Sequence, residues 1–223
     1  MTLKEIALSL ESTLLTATAS EAQVRALCRE AVEEGFFGVC VSPCRAKLAV
    51  DLVARTGARV VSVAGFPLGT QTSGAKLAEL GELFEMGVHE VDLVFNVGFF
   101  LEGRISPVSN ELRDARRVAG DGILKVILET GLLEPGQIRE AAALAIGAGA
   151  DFLKTSTGFG PSGARIPDVR ILRQVAGSRC GVKAAGGIRS LDQAQALLAA
   201  GADRLGTSVA GAVWKEAVER LSG

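Results

Sequence analysis

Two hydrophobic patterns alternate along almost the whole chain, and this alternation limits the possible folds more than any other feature. Stretches rich in Ala, Leu, Glu and Arg have the spacing of amphipathic helices, and short runs of Val, Ile and Phe suit strands buried on both faces. Glycine stands at five helix–strand junctions, as the expected C-terminal cap of a helix: Gly35, Gly57, Gly87, Gly149 and Gly201. The chain is therefore a series of strand–helix units.

Eight strands follow from this pattern. A weak strand is predicted near residues 10–15, and seven clearer ones lie near residues 38–42, 60–65, 90–95, 123–129, 151–155, 182–186 and 204–207. Eight strands with intervening helices in 223 residues predict an α/β protein, a (β/α)8 TIM barrel with a short N-terminal helix, as one domain over residues 1–223. The alternative is an open doubly wound sheet, which usually has a GxGxxG motif near its start; none is present there.

Several local signals predict where helices begin and where the chain turns. Residues 20–23 and 190–193 each fit a capping box, and Pro135 fits the first turn of a helix. Residues 102–107 are predicted to form a surface loop. The single histidine, His89, is expected to be solvated or hydrogen-bonded at a strand entrance, so neither a metal site nor another cofactor is expected.

Composition and charge exclude several classes of protein. The formal net charge is −1 and no run of Lys and Arg exceeds two residues, so no nucleic-acid partner is expected. The apolar runs are far shorter than the ~20 residues of a membrane span, and the N-terminus lacks the apolar segment of a signal peptide. We therefore expect a cytoplasmic protein with no membrane partner and with four free thiols: Cys28, Cys40, Cys44 and Cys180.

Charged residues interrupt four of the apolar strands: Asp92, Lys125, Lys154 and Lys183. The lysines are 29 residues apart in each interval, so they occupy similar places in three successive units whose strand ends meet at the mouth of a barrel. Mutual repulsion and burial lower the pKa of a lysine, and a neutral lysine attacks carbonyl groups. The alternative is that these lysines extend to solvent or form ordinary ion pairs. The role of Glu129 stays open.

Glycines follow the later strands. Gly158 and Gly160 follow the Lys154 strand, Gly186 and Gly187 follow the Lys183 strand, and residues 206–208 (Gly-Thr-Ser) follow the last strand. Backbone N–H groups exposed at such loops bind phosphate, and barrels often place phosphate on the loops of their last strands. Each pair alone would serve a tight turn. Three sets at one end of the barrel predict a phosphorylated substrate.

At these positions the sequence resembles the deoxyribose-phosphate aldolases. The resemblance runs from about residue 10 to residue 210 and rests on DFLKTSTGFG at 151–160 and VKAAGGIR at 182–189. Further matching segments are residues 63–69, 90–95, 124–131 and 205–208. The resemblance implies a barrel that forms a homodimer or homotetramer, uses no metal or cofactor, and reversibly cleaves 2-deoxy-D-ribose 5-phosphate to D-glyceraldehyde 3-phosphate and acetaldehyde through a lysine Schiff base.

The resemblance also implies residue roles. Lys154 would form the Schiff base, Lys183 would lie beside it and lower its pKa, and Asp92 would relay protons through a water molecule. The residues expected to bind substrate are Glu11, Cys40, Lys125, Thr155, Gly158, Gly186, Gly187, Gly206 and Ser208.

The sequence departs from the family pattern at two places. Glu11-Ser12 stands where the first strand commonly has Asp-His, and Val209 stands where many members have a small polar residue. The acceptor range and the strength of phosphate binding are therefore left open by the sequence. Two alternative functions are also left open: a lysine aldolase acting on a ketose phosphate, and a non-catalytic barrel that binds sugar phosphates.

Overall fold

A computed structural model describes residues 1–221 of the chain. Eight parallel strands, numbered β1 to β8 in chain order, form a closed barrel in which β8 pairs with β1. The strands are β1 (Leu10–Leu14), β2 (Gly38–Val41), β3 (Arg59–Ala64), β4 (Glu90–Val94), β5 (Ile123–Ile127), β6 (Phe152–Lys154), β7 (Gly181–Ala185) and β8 (Arg204–Thr207). The predicted barrel and all eight strands are confirmed, including the weak one at the N-terminus.

Helices cover the outside of the barrel. They are α1 (Leu3–Ala7), α2 (Glu21–Glu33), α3 (Pro43–Val53), α4 (Ser73–Glu85), α5 (Val97–Leu101), α6 (Ile105–Ala119), α7 (Pro135–Gly147), α8 (Ile166–Ala176), α9 (Leu191–Ala199) and α10 (Ala210–Leu221). The short N-terminal helix is confirmed as α1, and Pro135 begins α7 as predicted. No helix within residues 1–221 is long and apolar enough to cross a membrane.

The hydrophobic core lies mainly between the strands and the inner faces of these helices. Side chains alternate between the two faces of each strand, so every second residue points into the barrel. A separate small apolar cluster of Cys40, Val61 and Val63 lies apart from this core. Charged groups fill much of the remaining barrel interior, and they form the site described below.

Three local predictions differ from the structure. Gly57 does not cap α3, because the chain turns earlier, at Arg55, which has a φ of 67°. The loop predicted at residues 102–107 ends at Arg104, since Ile105 begins α6 and Pro107 fits in the first helical turn, where no N–H partner is needed. The capping box is complete at Ser20, but at Ser190 the Gln193 side chain accepts from the N–H of Arg189 instead.

Two other local predictions are confirmed. The Nδ1 atom of His89 accepts a hydrogen bond from the N–H of Val60 at 3.0 Å, so this histidine is held between β3 and β4. The four cysteines are free thiols.

Candidate active site

A cavity of about 530 Å³ opens at the carboxyl ends of the strands. Strand β1, the ends of β6 to β8 with their following loops, and helix α2 form its wall. Six of the residues predicted for the site line this cavity: Lys154, Gly158, Gly186, Gly187, Gly206 and Ser208. Glycines from all three predicted sets and one predicted lysine are therefore brought together at a single opening, whereas Gly160 is not part of this wall.

The barrel interior contains three lysines and three carboxylates in direct contact. They are Lys125, Lys154, Lys183, Glu11, Glu90 and Asp92, and all six are buried. A buried charge is costly unless it is paired and hydrogen-bonded. The equal numbers of positive and negative groups satisfy the need for charge pairing, although Oε1 of Glu11 and Oε2 of Glu90 have no hydrogen-bond partner within the described residues.

Asp92 lies at the centre of the cluster. Its Oδ2 atom accepts from Nζ of Lys154 and from Nζ of Lys183, both at 2.7 Å, and its Oδ1 atom accepts from Nζ of Lys125 at 2.9 Å. Burial by itself would raise the pKa of Asp92, but the positive charges of the three lysines hold it well below its usual value. Asp92 is therefore a carboxylate in the folded protein at neutral pH.

Strand register explains how these side chains meet. β4 pairs Asp92 with Lys125 on β5, and β6 pairs Lys154 with Lys183 on β7. Lys154 pairs on its other side with Ile127, so Lys125 lies two residues nearer the start of its strand than the 29-residue spacing suggested. All three lysines reach Asp92, but only Lys154 and Lys183 share a register position.

Glu11 and Glu90 are the additional negative groups. Glu11 contacts Lys183 through Oε2, and its Oε1 lies 3.7 Å from Nζ of Lys125. Glu90 lies 2.6 Å from Nζ of Lys125, without the alignment of a hydrogen bond. Three carboxylates, and not Asp92 alone, therefore face the three lysines, and the lowered pKa values expected from the sequence are wrong for Lys125 and Lys183.

The pKa values of Lys125 and Lys183 are both raised. Burial by itself would lower both pKa values, but the negative charges of Asp92 and Glu11 raise them by more than burial lowers them. Both side chains therefore remain ammonium groups at neutral pH. The positively charged Nζ of Lys183 therefore contacts the same oxygen of Asp92 that contacts Lys154.

Lys154 differs from the other two lysines in its access to the cavity. It is the lysine of this cluster that lines the cavity wall, although only 2% of its surface is exposed. An amine in this position can contact a small molecule in the cavity while it retains its contact with Asp92. The arrangement suits nucleophilic attack on a carbonyl group, with a carboxylate and an ammonium group adjacent to the reacting nitrogen.

Comparison with known proteins agrees with this geometry. The family model described as DeoC/LacD family aldolase matches residues 9–216. The chain belongs to the DeoC/LacD aldolase family. It is 44% identical to the deoxyribose-phosphate aldolase of Deinococcus radiodurans over 199 residues, covering 89% of this chain and 90% of that one. It is 41% identical to the deoxyribose-phosphate aldolase of Caldanaerobacter subterraneus, covering 92% and 90% of the two chains.

Solved structures give the same result. The tetrameric deoxyribose phosphate aldolase from Aeropyrum pernix superimposes with a TM-score of 0.87 at 34% identity, covering 96% of this chain and 91% of that one. A sialic acid aldolase from Ruminococcus gnavus has a TM-score of 0.65 at only 13% identity, which shows a shared barrel fold alone.

Four residues predicted to bind substrate lie outside the cavity wall of this DeoC/LacD family member. Glu11 and Lys125 belong to the buried charge cluster. Cys40 is fully buried, and burial raises the pKa of its thiol to about 11, so it is a neutral group. The hydroxyl of Thr155 donates to the carbonyl of Ala185 and accepts from its N–H, which ties β6 to β7.

Other residues in or beside the cavity were missed by the sequence analysis. Thr157, Phe159 and Arg189 line the cavity from the same two loops as the predicted glycines. Glu90 could have been found, because it precedes Asp92 by two residues and therefore points into the barrel from the same strand face. No sequence signal marks Thr157 as more than part of a loop.

Proposed function

We propose that this chain is a deoxyribose-phosphate aldolase that cleaves 2-deoxy-D-ribose 5-phosphate to D-glyceraldehyde 3-phosphate and acetaldehyde through a Schiff base on Lys154. The observation that carries the proposal is the position of Lys154, which lines the cavity and shares Oδ2 of Asp92 with Lys183. The named relatives support the choice of substrate. No observation favours a ketose phosphate or a purely binding role.

In the first step, Nζ of Lys154 attacks C1 of the open-chain sugar. Asp92 is 2.7 Å from this nitrogen and accepts the proton that leaves it as the carbinolamine forms. The same carboxylate passes this proton to the former carbonyl oxygen, and it then carries the remaining N–H proton to the resulting hydroxyl group, which leaves as water and gives the neutral imine. A proton from solvent converts this to the protonated imine. The ammonium group of Lys183 stays hydrogen-bonded to the same oxygen of Asp92, Oδ2, and balances its charge.

Carbon–carbon bond cleavage follows from the protonated imine. The electron pair of the C2–C3 bond moves towards the imine nitrogen, the C3 hydroxyl loses its proton to a water molecule, which can return it to C2 in the next step, and glyceraldehyde 3-phosphate leaves. The remaining enamine takes a proton at C2, and water hydrolyses the resulting imine to acetaldehyde and free Lys154. The nitrogen of Lys154 is the electron sink throughout.

We assign the phosphate to the glycine-lined side of the cavity. Gly158, Gly186 and Gly187 have positive φ values of 87°, 90° and 76°, a conformation that favours glycine and lets successive N–H groups face a ligand. Gly206 has a further function, because a Cβ atom there would lie 3.2 Å from Cε of Lys183. Glycine at this position therefore leaves room for the buried lysine.

We further propose that residues 1–223 act as one domain, in the cytoplasm, as a homodimer or homotetramer. The barrel strands and their covering helices account for nearly the whole described chain. The relative from Aeropyrum pernix is a tetramer, which supports self-assembly.

A coupled assay of deoxyribose 5-phosphate cleavage tests the proposal directly. We expect turnover that is unchanged by a chelator, because the imine nitrogen supplies the electron sink. Borohydride reduction in the presence of acetaldehyde should add an ethyl group to the peptide that contains Lys154, as measured by mass spectrometry. No turnover, no adduct, or an adduct on another lysine would overturn the assignment.

Val209 offers a gain-of-function test of the phosphate site. Val209→Ser places a hydroxyl directly after Ser208, one residue before α10 begins, where we expect it to donate to phosphate. One added hydrogen bond should lower KM for deoxyribose 5-phosphate by roughly 3- to 10-fold. Unphosphorylated deoxyribose is the matched control substrate, and its kcat/KM should not change. An equal effect on both substrates would place the phosphate elsewhere.

A further inference from the structure

Glu129 is a buried carboxylate that the mechanism above does not use. It lies two residues after the end of β5, and 5% of its surface is exposed. It forms no salt bridge with any residue between 1 and 221, in contrast to the three carboxylates of the charge cluster. Its backbone adopts a left-handed conformation with φ of 50°, which is uncommon for a residue other than glycine. A buried carboxylate without a salt bridge and a left-handed backbone both lower the stability of the fold, and a residue with both is typically retained for function.

One oxygen of Glu129 is fully engaged with a single residue of the cavity wall. Its Oε2 atom accepts from the hydroxyl of Thr157 and from the N–H of Thr157 at 3.2 Å. The other oxygen, Oε1, has no hydrogen-bond partner within the described residues. The carboxylate borders a separate cavity of about 70 Å³. The chain makes room for this carboxylate at Gly160, where a Cβ atom would lie 2.7 Å from Cδ of Glu129.

These bonds determine what the hydroxyl of Thr157 can offer to a ligand. Its proton is directed to Oε2 of Glu129, so the hydroxyl has no proton to donate elsewhere. One of its lone pairs accepts from the N–H of Phe159 at 3.0 Å. The second lone pair is left over, and Thr157 lines the same cavity as Lys154. The hydroxyl can therefore only accept a hydrogen bond from a bound molecule.

We propose that Glu129 is a positioning residue that fixes the Thr157 hydroxyl as a hydrogen-bond acceptor, and that this acceptor selects aldehydes with a hydroxyl group on C2. This proposal rests on the proposed function. The C2 hydroxyl of glyceraldehyde 3-phosphate becomes the C4 hydroxyl of the sugar, so it can donate to Thr157 before and after the reaction. A carboxylate behind the hydroxyl strengthens its acceptor oxygen. An aldehyde without this hydroxyl leaves the acceptor unpaired.

The experiment measures aldol addition of acetaldehyde to two acceptors, D-glyceraldehyde and 3-hydroxypropanal, which lacks the C2 hydroxyl. We expect the wild type to favour D-glyceraldehyde in kcat/KM. Thr157→Val, which removes the hydroxyl and keeps the side-chain shape, should reduce that preference at least tenfold. Thr157→Ser keeps the hydroxyl and should retain most of it. Glu129→Gln removes the charge and should reduce the preference in the wild-type background.

The decisive comparison is a double-mutant cycle. If Glu129 acts through Thr157, Glu129→Gln has no further effect on acceptor preference in the Thr157→Val background. An equal effect of Glu129→Gln in both backgrounds, or an unchanged preference in Thr157→Val, would overturn the proposal. Borohydride trapping of acetaldehyde on Lys154 is measured in every variant. If the adduct persists and the acceptor preference is unchanged, only the role of Glu129 is rejected. If the wild type forms no adduct, the proposed function is rejected as well.

Discussion

Lys154→Met abolishes turnover of deoxyribose 5-phosphate, with an expected loss of kcat on the order of 10⁵-fold, as found when a covalent nucleophile is removed from other enzymes. Methionine has a similar length and keeps the cavity wall filled, so the loss reports the amine itself. The borohydride adduct with acetaldehyde should disappear from the same peptide. Asp92 keeps its contacts with Lys125 and Lys183 in this variant, so the barrel should remain folded.

Lys47→Met is the matched control for this experiment. Lys47 is an exposed lysine on α3 whose Nζ lies 2.6 Å from Asp51, so it is ion-paired as Lys154 is, but far more exposed to solvent. We expect its kcat and its adduct on Lys154 to equal those of the wild type. Residual turnover of more than about one part in a thousand in Lys154→Met, measured with single-site purity confirmed by mass spectrometry, would contradict the Schiff-base assignment.

Asp92→Asn should reduce both activity and stability. Loss of the group that exchanges protons with Lys154 should lower kcat by roughly 10²- to 10⁴-fold. The free energy of unfolding should fall by about 3–5 kcal/mol at neutral pH, because three buried lysines would then face only Glu11 and Glu90. Chemical denaturation and steady-state kinetics measure the two effects separately.

The pH dependence of this loss gives a sharper test. The folded-state pKa of Asp92 lies well below its usual value of 3.8. The charge of Asp92 therefore stabilises the folded protein fully above pH 3.8, and this stabilisation is lost as the pH falls from 3.8 through the folded-state pKa. The difference in unfolding free energy between wild type and Asp92→Asn should therefore shrink as the pH falls below 3.8. A difference that is constant from pH 7 downwards would show that the charge of Asp92 does not stabilise the cluster.

Asp51→Asn is the control for Asp92→Asn. Asp51 is the exposed partner of Lys47, and solvent screens this pair. We expect a change in unfolding free energy of no more than about 0.5 kcal/mol and no change in kcat. The contrast between these two aspartates isolates the effect of burial.

The sequence by itself determined the fold and the main chemistry. Continuous apolar runs that alternate with amphipathic helical stretches predict the eight strands, because parallel strands buried on both faces are apolar throughout and the helices that cover them are apolar on one face. Against that apolar background, Asp92 and the three lysines were conspicuous, and their positions near strand ends placed them at one end of a barrel. The same logic located the glycines at 158, 186 and 187, which line the cavity.

Only the tertiary structure decided how the charges are shared. Register places Lys125 two residues nearer the start of its strand than the equal spacing implied, and it brings Glu11 from β1 and Glu90 from β4 to the lysines. A pKa depends on the distances to all nearby charges and on burial. The raised pKa values of Lys125 and Lys183 therefore could not be obtained from residue types and spacing alone. Glu129 is a similar case, since its link to Thr157 joins residues 28 positions apart.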